Sequence, residues 1–327
     1  MARQKFNILA IGQAGRLEHE AIILATSLRL ADPSFPGTLF IAEPQPGPLW
    51  PEDPRMSRQT RACLEDLGAE ILPFDNQVFG AAYPNGNKIE ALSALPDKPF
   101  LFLDTDTIVT GSFSKVKFDF KRPSASMKRE NTWPVEELYG PTVGQTWQAL
   151  YDHFGIPFPP TEDPDEPPDY WQRYLYFNAG WFFHKSPKAF GAKFLEIATT
   201  LWRDRPDPVA LQTLEPWLDQ VALPLVIASL GGGRPGPELA GLDGDVTCHW
   251  RVLPLMFARE SDAAVDMMKR VAAQKDIRPR LQKYGAARKM LYEGAGDKVR
   301  AMFDRDDLPR KEQAIRNRIK REGLWAR

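Results

Sequence analysis

The segment Phe100-Leu-Phe-Leu-Asp104-Thr-Asp106-Thr-Ile-Val109 constrains the chain more than any other. An apolar run that begins after Pro99 reads as a buried strand. A core strand gains nothing from two acids at its end. In an extended backbone residues i and i+2 point to the same side, so Asp104 and Asp106 should converge on one spot. Two like charges in a half-buried place repel and call for a cation. The simplest expectation is a divalent-metal site at the carboxyl end of a strand in an α/β sheet.

The flanking pattern supports such a sheet. Before the acid pair, strands are expected over 6–11, 37–42 and 70–74, alternating with helices over 18–30 and 57–67. A further helix, capped by Asn87 and running to 95, leads into the aspartate strand. Repeated strand–helix units predict a mainly parallel sheet with helices on both faces. Ligands of such sheets bind beyond the carboxyl ends of strands. Downstream, 157–169 is a stiff acidic proline-rich loop, which can be neither helix nor central strand. Strands are then expected over 174–183, 223–230 and 246–253, and helices over 187–202 and 207–221. A glycine-rich loop fills 231–244, and a basic helical stretch begins near 259.

With 327 residues, 43% hydrophobic and 26% charged, the chain has the make-up of an ordinary soluble protein. It carries no membrane-length apolar run and no leader-like N-terminus, so a cytoplasmic location is expected. Two cysteines, Cys63 and Cys248, are too few for a disulfide framework or a cysteine metal cluster. The formal charge of −1 conceals an asymmetry: from Lys269 to Arg327 there are 18 basic against 8 acidic residues. Solvated helices are the plain explanation. A peripheral contact with an anionic membrane surface or a polyanionic glycan is the functional one. No nucleic-acid partner is expected. The division expected is a body over 1–258 and a basic helical extension over 259–327.

By itself the acid pair leaves two chemistries open. One is the Asp-x-Asp of nucleotide-sugar glycosyltransferases, in which a carboxylate-bound divalent ion neutralises a departing diphosphate. The other is the strand-terminal Asp-x-Asp-x-Thr of haloacid-dehalogenase-type phosphatases, with Asp104 as nucleophile and Asp106 as acid/base. That motif ordinarily lies on a first strand, and here three strands precede it. A catalytically silent nucleotide-sugar-binding protein is a further alternative.

Four other stretches carry a family resemblance. Asn87-Lys88 ahead of the aspartates, Phe177-Asn178-Ala179-Gly180, Asp219-Gln220 and Cys248-His249-Trp250 follow in the order and spacing of bacterial family 8-like transferases. The chain therefore resembles a GT-A-fold nucleotide-sugar glycosyltransferase over roughly residues 5–255. The family's Gly-x-x-Lys-Pro-Trp after the histidine is absent, and Arg251-Val-Leu-Pro254 stands there.

What the resemblance implies is transfer of a hexose from a nucleoside-diphosphate sugar, UDP-sugar favoured, to a hydroxyl of a glycan or lipid-linked acceptor. It further implies retention of configuration, Mn²⁺ or Mg²⁺ as cofactor, and a part in surface glycan synthesis. Metal ligands would be Asp104, Asp106 and His249. Donor contacts would come from Lys88, Asp104, Ala179, Gly180 and Gln220, and from Gly12 and Arg16 in the first loop. Asn178 and Asp219 would touch the reacting sugar, with Asp219 the first candidate base if configuration inverted. Each has a plainer alternative: a strand-end turn for the aspartates, a core histidine, a solvated lysine, a tight packing spot at Asn178. Among Trp171, Trp181, Trp217 and Trp250, Trp181 is the residue expected to face the acceptor, since indole packs well on sugar rings.

Overall fold

The computed structural model describes residues 4–128 and 132–326. Its first half alternates as the periodicity requires: β1 (Asn7–Ile11), α1 (Arg16–Ala31), β2 (Leu39–Pro44), α2 (Arg58–Asp66), β3 (Ala69–Phe74), the short α3 (Asn87–Glu90), β4 (Phe100–Leu103) and β5 (Thr107–Val109). There follow α4 (Val143–His153), β6 (Trp181–His184), α5 (Pro187–Arg203), α6 (Leu218–Ser229), β7 (Thr247–His249) and α7 (Leu253–Arg259). The chain ends in α8 (Asp262–Ala272), α9 (Arg278–Leu281), α10 (Gly285–Ala287), α11 (Ala295–Ala301) and α12 (Glu312–Arg321). Local signals set several starts. Ser57 caps α2 by accepting from the Thr60 amide, and Thr142 with Gln145 forms a capping box on α4.

Five strands form the main sheet in the order β3-β2-β1-β4-β6. The first four are parallel and β6 runs antiparallel to β4. β5 leaves this sheet and pairs antiparallel with β7 in a separate two-stranded ribbon. Side chains alternate across the sheet as the pleat dictates. Ile8, Leu101 and Leu103 enter one apolar cluster, whereas Leu9, Phe100 and Phe102 enter the other. α4, α5 and α6 cover the second face. The first face is covered by α1 and α2 together with the C-terminal helices, through Val265, Met268, Val299 and Ile319. Among the described residues no helix is long and apolar enough to cross a membrane.

Several expectations need correction. Residues 223–229 belong to helix α6, not to a strand: the helix is apolar on nearly every side, and such a run carries no period that separates it from a strand. The helix expected over 207–221 starts only at Leu218, after a 3₁₀ turn at Asp207–Val209 and a cis Glu215–Pro216 bond. The strand expected over 174–183 is confined to Trp181–His184, since Ala179 takes a left-handed φ of 56° that no strand accommodates. The strand expected over 246–253 shortens to Thr247–His249 before α7 begins. Asn87 is not a cap but lies inside the first turn of α3, which follows directly on a 3₁₀ turn at Pro84–Gly86.

Candidate functional site

The acid pair sits at the junction where the main sheet gives way to the ribbon. Residues 104–106 form a turn, not the extended chain expected, because the backbone changes pairing partner from β6 to β7 at this point. Two backbone bonds fix the turn. The Asp104 amide donates to the Gly180 carbonyl at 2.9 Å, and the Trp250 amide donates to the Asp106 carbonyl at 2.9 Å. Ribbon register sets His249 opposite Thr107 and so beside Asp106.

The carboxylates converge nonetheless. His249 Nε2 lies 3.0 Å from Asp106 Oδ1 and 3.9 Å from Asp104 Oδ2. One donor atom from each of the three residues falls within 4.8 Å of the others. Two carboxylates and an imidazole are a donor set able to hold a divalent cation. The other ring nitrogen, His249 Nδ1, is buried without a hydrogen-bond partner among the described residues. Gly180 lets the ring come this close, since a Cβ there would stand 2.4 Å from Nδ1.

On the opposite flank, Lys88 from α3 is almost fully buried. Its Nζ lies 2.9 Å from Asp104 Oδ1 and 3.1 Å from Asp219 Oδ2, and it donates to the Ala179 carbonyl at 3.4 Å. Asp219 sits in the first turn of α6, where the helix dipole favours a negative charge. The Tyr83 hydroxyl donates to Asp219 Oδ1 at 2.7 Å and accepts from the Asp219 amide at 3.0 Å. Gln220 accepts from the Tyr176 hydroxyl at 3.0 Å. Asn178 spans a sharp turn: its Oδ1 accepts from the Gly180 amide at 2.7 Å and its Nδ2 donates to the Lys128 carbonyl.

Burial acts against charge throughout the cluster, and the neighbours decide the outcome. Burial and the Asp106 charge hold the Asp104 carboxyl above its usual range despite Lys88. For Asp106 burial is outweighed by the adjacent imidazole, and its carboxyl falls below the usual range. Burial would lower His249, yet Asp106 and Asp104 raise it. Lys88 too is raised, as its two carboxylates overcome burial. Behind them Glu20 is fully buried, with Arg16 Nη1 2.8 Å away; burial and the repulsion of Asp106 push its carboxyl well up.

A cleft of about 290 Å³ opens over these groups. Arg16, Lys88, Asp104, Asp106, Asn178, Asp219, Gln220 and His249 line it, joined by Asn85, Trp217 and Arg251. Ala179 and Gly180 are absent from the lining and meet the site through backbone: their carbonyls accept from Lys88 and the Asp104 amide, and the Gly180 amide donates to Asn178. Gly12 stays out of the lining, packed where a Cβ would meet Ile41 and Met56. Trp181 does not face the cleft: it is 2% exposed and stacked on Phe183 in the core, like the buried Trp250. Trp217 is the indole at the cleft, and Trp171 lines a separate one. Tyr83 and Glu20 gave no signal in the sequence, because their role depends on partners far along the chain.

The sequence matches the profile of a family described as the Rhodobacterales glycosyltransferase domain over residues 8–231. No curated protein matches it. Among solved structures, it is similar to the galactosyltransferase LgtC, solved in complex with donor and acceptor sugar analogs. Identity there is 16%, coverage 71% of this chain and 73% of that one, and the TM-score 0.43. Similarity to GlyE of Streptococcus pneumoniae TIGR4 is 15% in identity, over 71% of this chain and 45% of that one, with a TM-score of 0.38. For the bifunctional glycosyltransferase WbbM the values are 12%, 83%, 44% and 0.41. The chain thus spans less than half the length of GlyE and of WbbM.

Replacing Lys88 by Met leaves Asp104 and Asp219 facing each other without their shared cation. Breaking a buried pair in this way should cost about 3–5 kcal/mol, read from urea denaturation; an unchanged midpoint would show that the lysine carries no such load. The His249–Asp106 pair also makes stability depend on pH. The raised imidazole stabilises the fold below its unfolded pKa and stops doing so as pH rises through the folded value. The lowered carboxyl stabilises it above the ordinary carboxylate range and stops as pH falls through its own folded value. Proton NMR of the metal-free protein should therefore find the His249 ring titrating above about 6.5, and a value at or below that would contradict the pairing.

Proposed function

We propose that this chain, which belongs to the Rhodobacterales glycosyltransferase domain family, moves a hexose from a UDP-sugar to an acceptor hydroxyl with the help of Mn²⁺ or Mg²⁺ held by Asp104, Asp106 and His249. The observation that carries the reading is the convergence of those three donors on a cleft whose facing wall presents Asp219 and Gln220. A divalent ion bound there would neutralise the diphosphate of the donor. The phosphatase alternative gives way, since the family is one of glycosyltransferases and the pair lies after the fourth strand.

In this reading the bond between the anomeric carbon and the β-phosphate oxygen breaks, and its electron pair stays on the diphosphate. The acceptor oxygen forms the new bond to that carbon, and its proton passes to the departing phosphate. Both Asp219 oxygens are already engaged, by the Tyr83 hydroxyl and by Lys88, an arrangement suited to orienting a sugar and in keeping with a retaining course. Asp219, Gln220 and Asn178 would orient sugar hydroxyls in place of removing a proton. Lys88 acts here as the strut that turns Asp104 and Asp219 toward their ligands, a task its two contacts favour over direct phosphate binding. Arg16, whose Nη1 is 3.7 Å from Asp106 Oδ2, would approach the diphosphate, while the backbone at Ala179 and Gly180 would bound the donor; Gly12, packed behind the cleft, would act only by shaping the first loop.

The acceptor side of the proposal is a glycan or lipid-linked saccharide of surface glycan synthesis. Residues 1–258 would do the chemistry. The basic helices of 259–327 would rest on the inner face of an anionic membrane from the cytoplasm, as their excess of positive charge suggests.

Isothermal titration with UDP should give tight binding with Mn²⁺ and a large loss without it, and Asp106→Ala should lose both the metal dependence and transfer while keeping its circular dichroism. Wild-type protein that binds no nucleoside diphosphate in Mn²⁺ would end this reading. For the membrane contact, sedimentation with phosphatidylserine vesicles should retain the protein at low salt and release it at high salt. Equal retention on neutral vesicles would refute an electrostatic contact.

A further inference from the structure

Among the described residues, Arg16, Lys88 and Arg251 bring positively charged side chains to the cleft. Arg16 lies against Glu20 at 2.8 Å, and Lys88 bridges Asp104 and Asp219. The third, Arg251, comes from the chain just after β7 and is paired differently. Its Nη1 lies 3.5 Å from Glu312 Oε2, in the first turn of α12. That carboxylate is also 2.7 Å from Arg259 and 2.5 Å from Arg316, so three guanidinium groups converge on one acid. The backbone at Arg251 is under strain. Its φ is +62°, and the Val252 amide donates to the Trp250 carbonyl at 2.7 Å across it. A tight turn through a positive φ is rare for a residue with a side chain, and such outliers gather where a group must be aimed.

Resting on the transferase reading above, we propose that Arg251 binds the terminal phosphate of the nucleoside diphosphate and that Glu312 of the C-terminal helix α12 holds it ready for this. The need comes from charge. As the anomeric bond breaks, the diphosphate gains roughly one more negative charge. The cleft carboxylates Asp104, Asp106 and Asp219 oppose that gain. A guanidinium on the cleft wall beside His249 offsets it, and its planar fork suits phosphate oxygens. His249, Arg251 and α12 all lie beyond the matched residues 8–231, so the C-terminal part of the chain would complete the donor site.

The test compares UDP with UMP in saturating Mn²⁺ by isothermal titration, on the full chain and on Arg251→Met, Arg251→Lys, Arg251→Asn and Glu312→Gln. Arg251→Met should weaken UDP by about tenfold to a hundredfold and UMP by no more than about threefold, with Arg251→Lys recovering part of the loss. Arg251→Asn tolerates the positive φ, so a loss for UDP alone in that variant excludes a folding defect as its cause. Glu312→Gln should shift UDP affinity in the same selective way by a smaller factor. UDP affinity unchanged in Arg251→Met, or equal losses for UDP and UMP, overturns the assignment while leaving the transferase reading intact. If the wild-type chain binds no nucleoside diphosphate, tried as UDP, GDP and ADP, the reading beneath it fails as well.

Discussion

Two carboxylates that cannot comfortably share a turn are the constraint around which this structure is organised. Asp104 and Asp106 repel each other in a place that water reaches poorly, and each is stabilised from a different side. Lys88 takes one oxygen of Asp104 and ties it to Asp219, while His249 takes Asp106. Neither partner is near the pair in sequence. The repulsion therefore demands that α3, the start of α6 and the end of β7 arrive together at the end of β4. A divalent ion would satisfy the same demand more strongly, and the two carboxylates and the imidazole already converge on a place that could hold one.

The sheet topology makes that arrival possible. β4 ends with β1 on one side and β6 on the other, and β5 then departs to pair with β7. A change of partner forces a bend, and the bend presents both acids to the same cleft. Left-handed backbone at Ala179 and Arg251 shapes the two flanks of this junction. Each interrupts what would otherwise be a regular strand, so regular pairing is given up where the cleft needs wall and floor.

Much of this was legible in the sequence, and the reasons differ from part to part. Alternating apolar segments placed β1 to β4 and α1, α2 and α5 within a few residues, because amphipathic periods are local. The acid pair was legible because charge at the end of an apolar strand has few structural explanations. Most of α6, from Leu223 on, reads as a strand in the sequence, since a helix buried all round shows no period. Trp181 was misplaced because inward and outward faces of β6 depend on where the strand begins, and Ala179 moved that point. Tyr83 and the Arg251–Glu312 pair were invisible, being contacts between segments that only the tertiary fold brings together.

The ribbon of β5 and β7 joins Thr107 to His249 across more than a third of the chain, and this has a bearing on synthesis. A ribosome releases the acid turn, β1 to β4 and Lys88 long before it releases the histidine. Until then the growing chain carries an acid pair with its lysine on one side and nothing of β7 on the other. The first strands can form a sheet early, but the cation-binding corner is the product of a long loop closure. Completion of the corner is thereby a late event in the history of each molecule. The nascent protein passes most of its synthesis with its structural core under construction and its chemistry still unassembled.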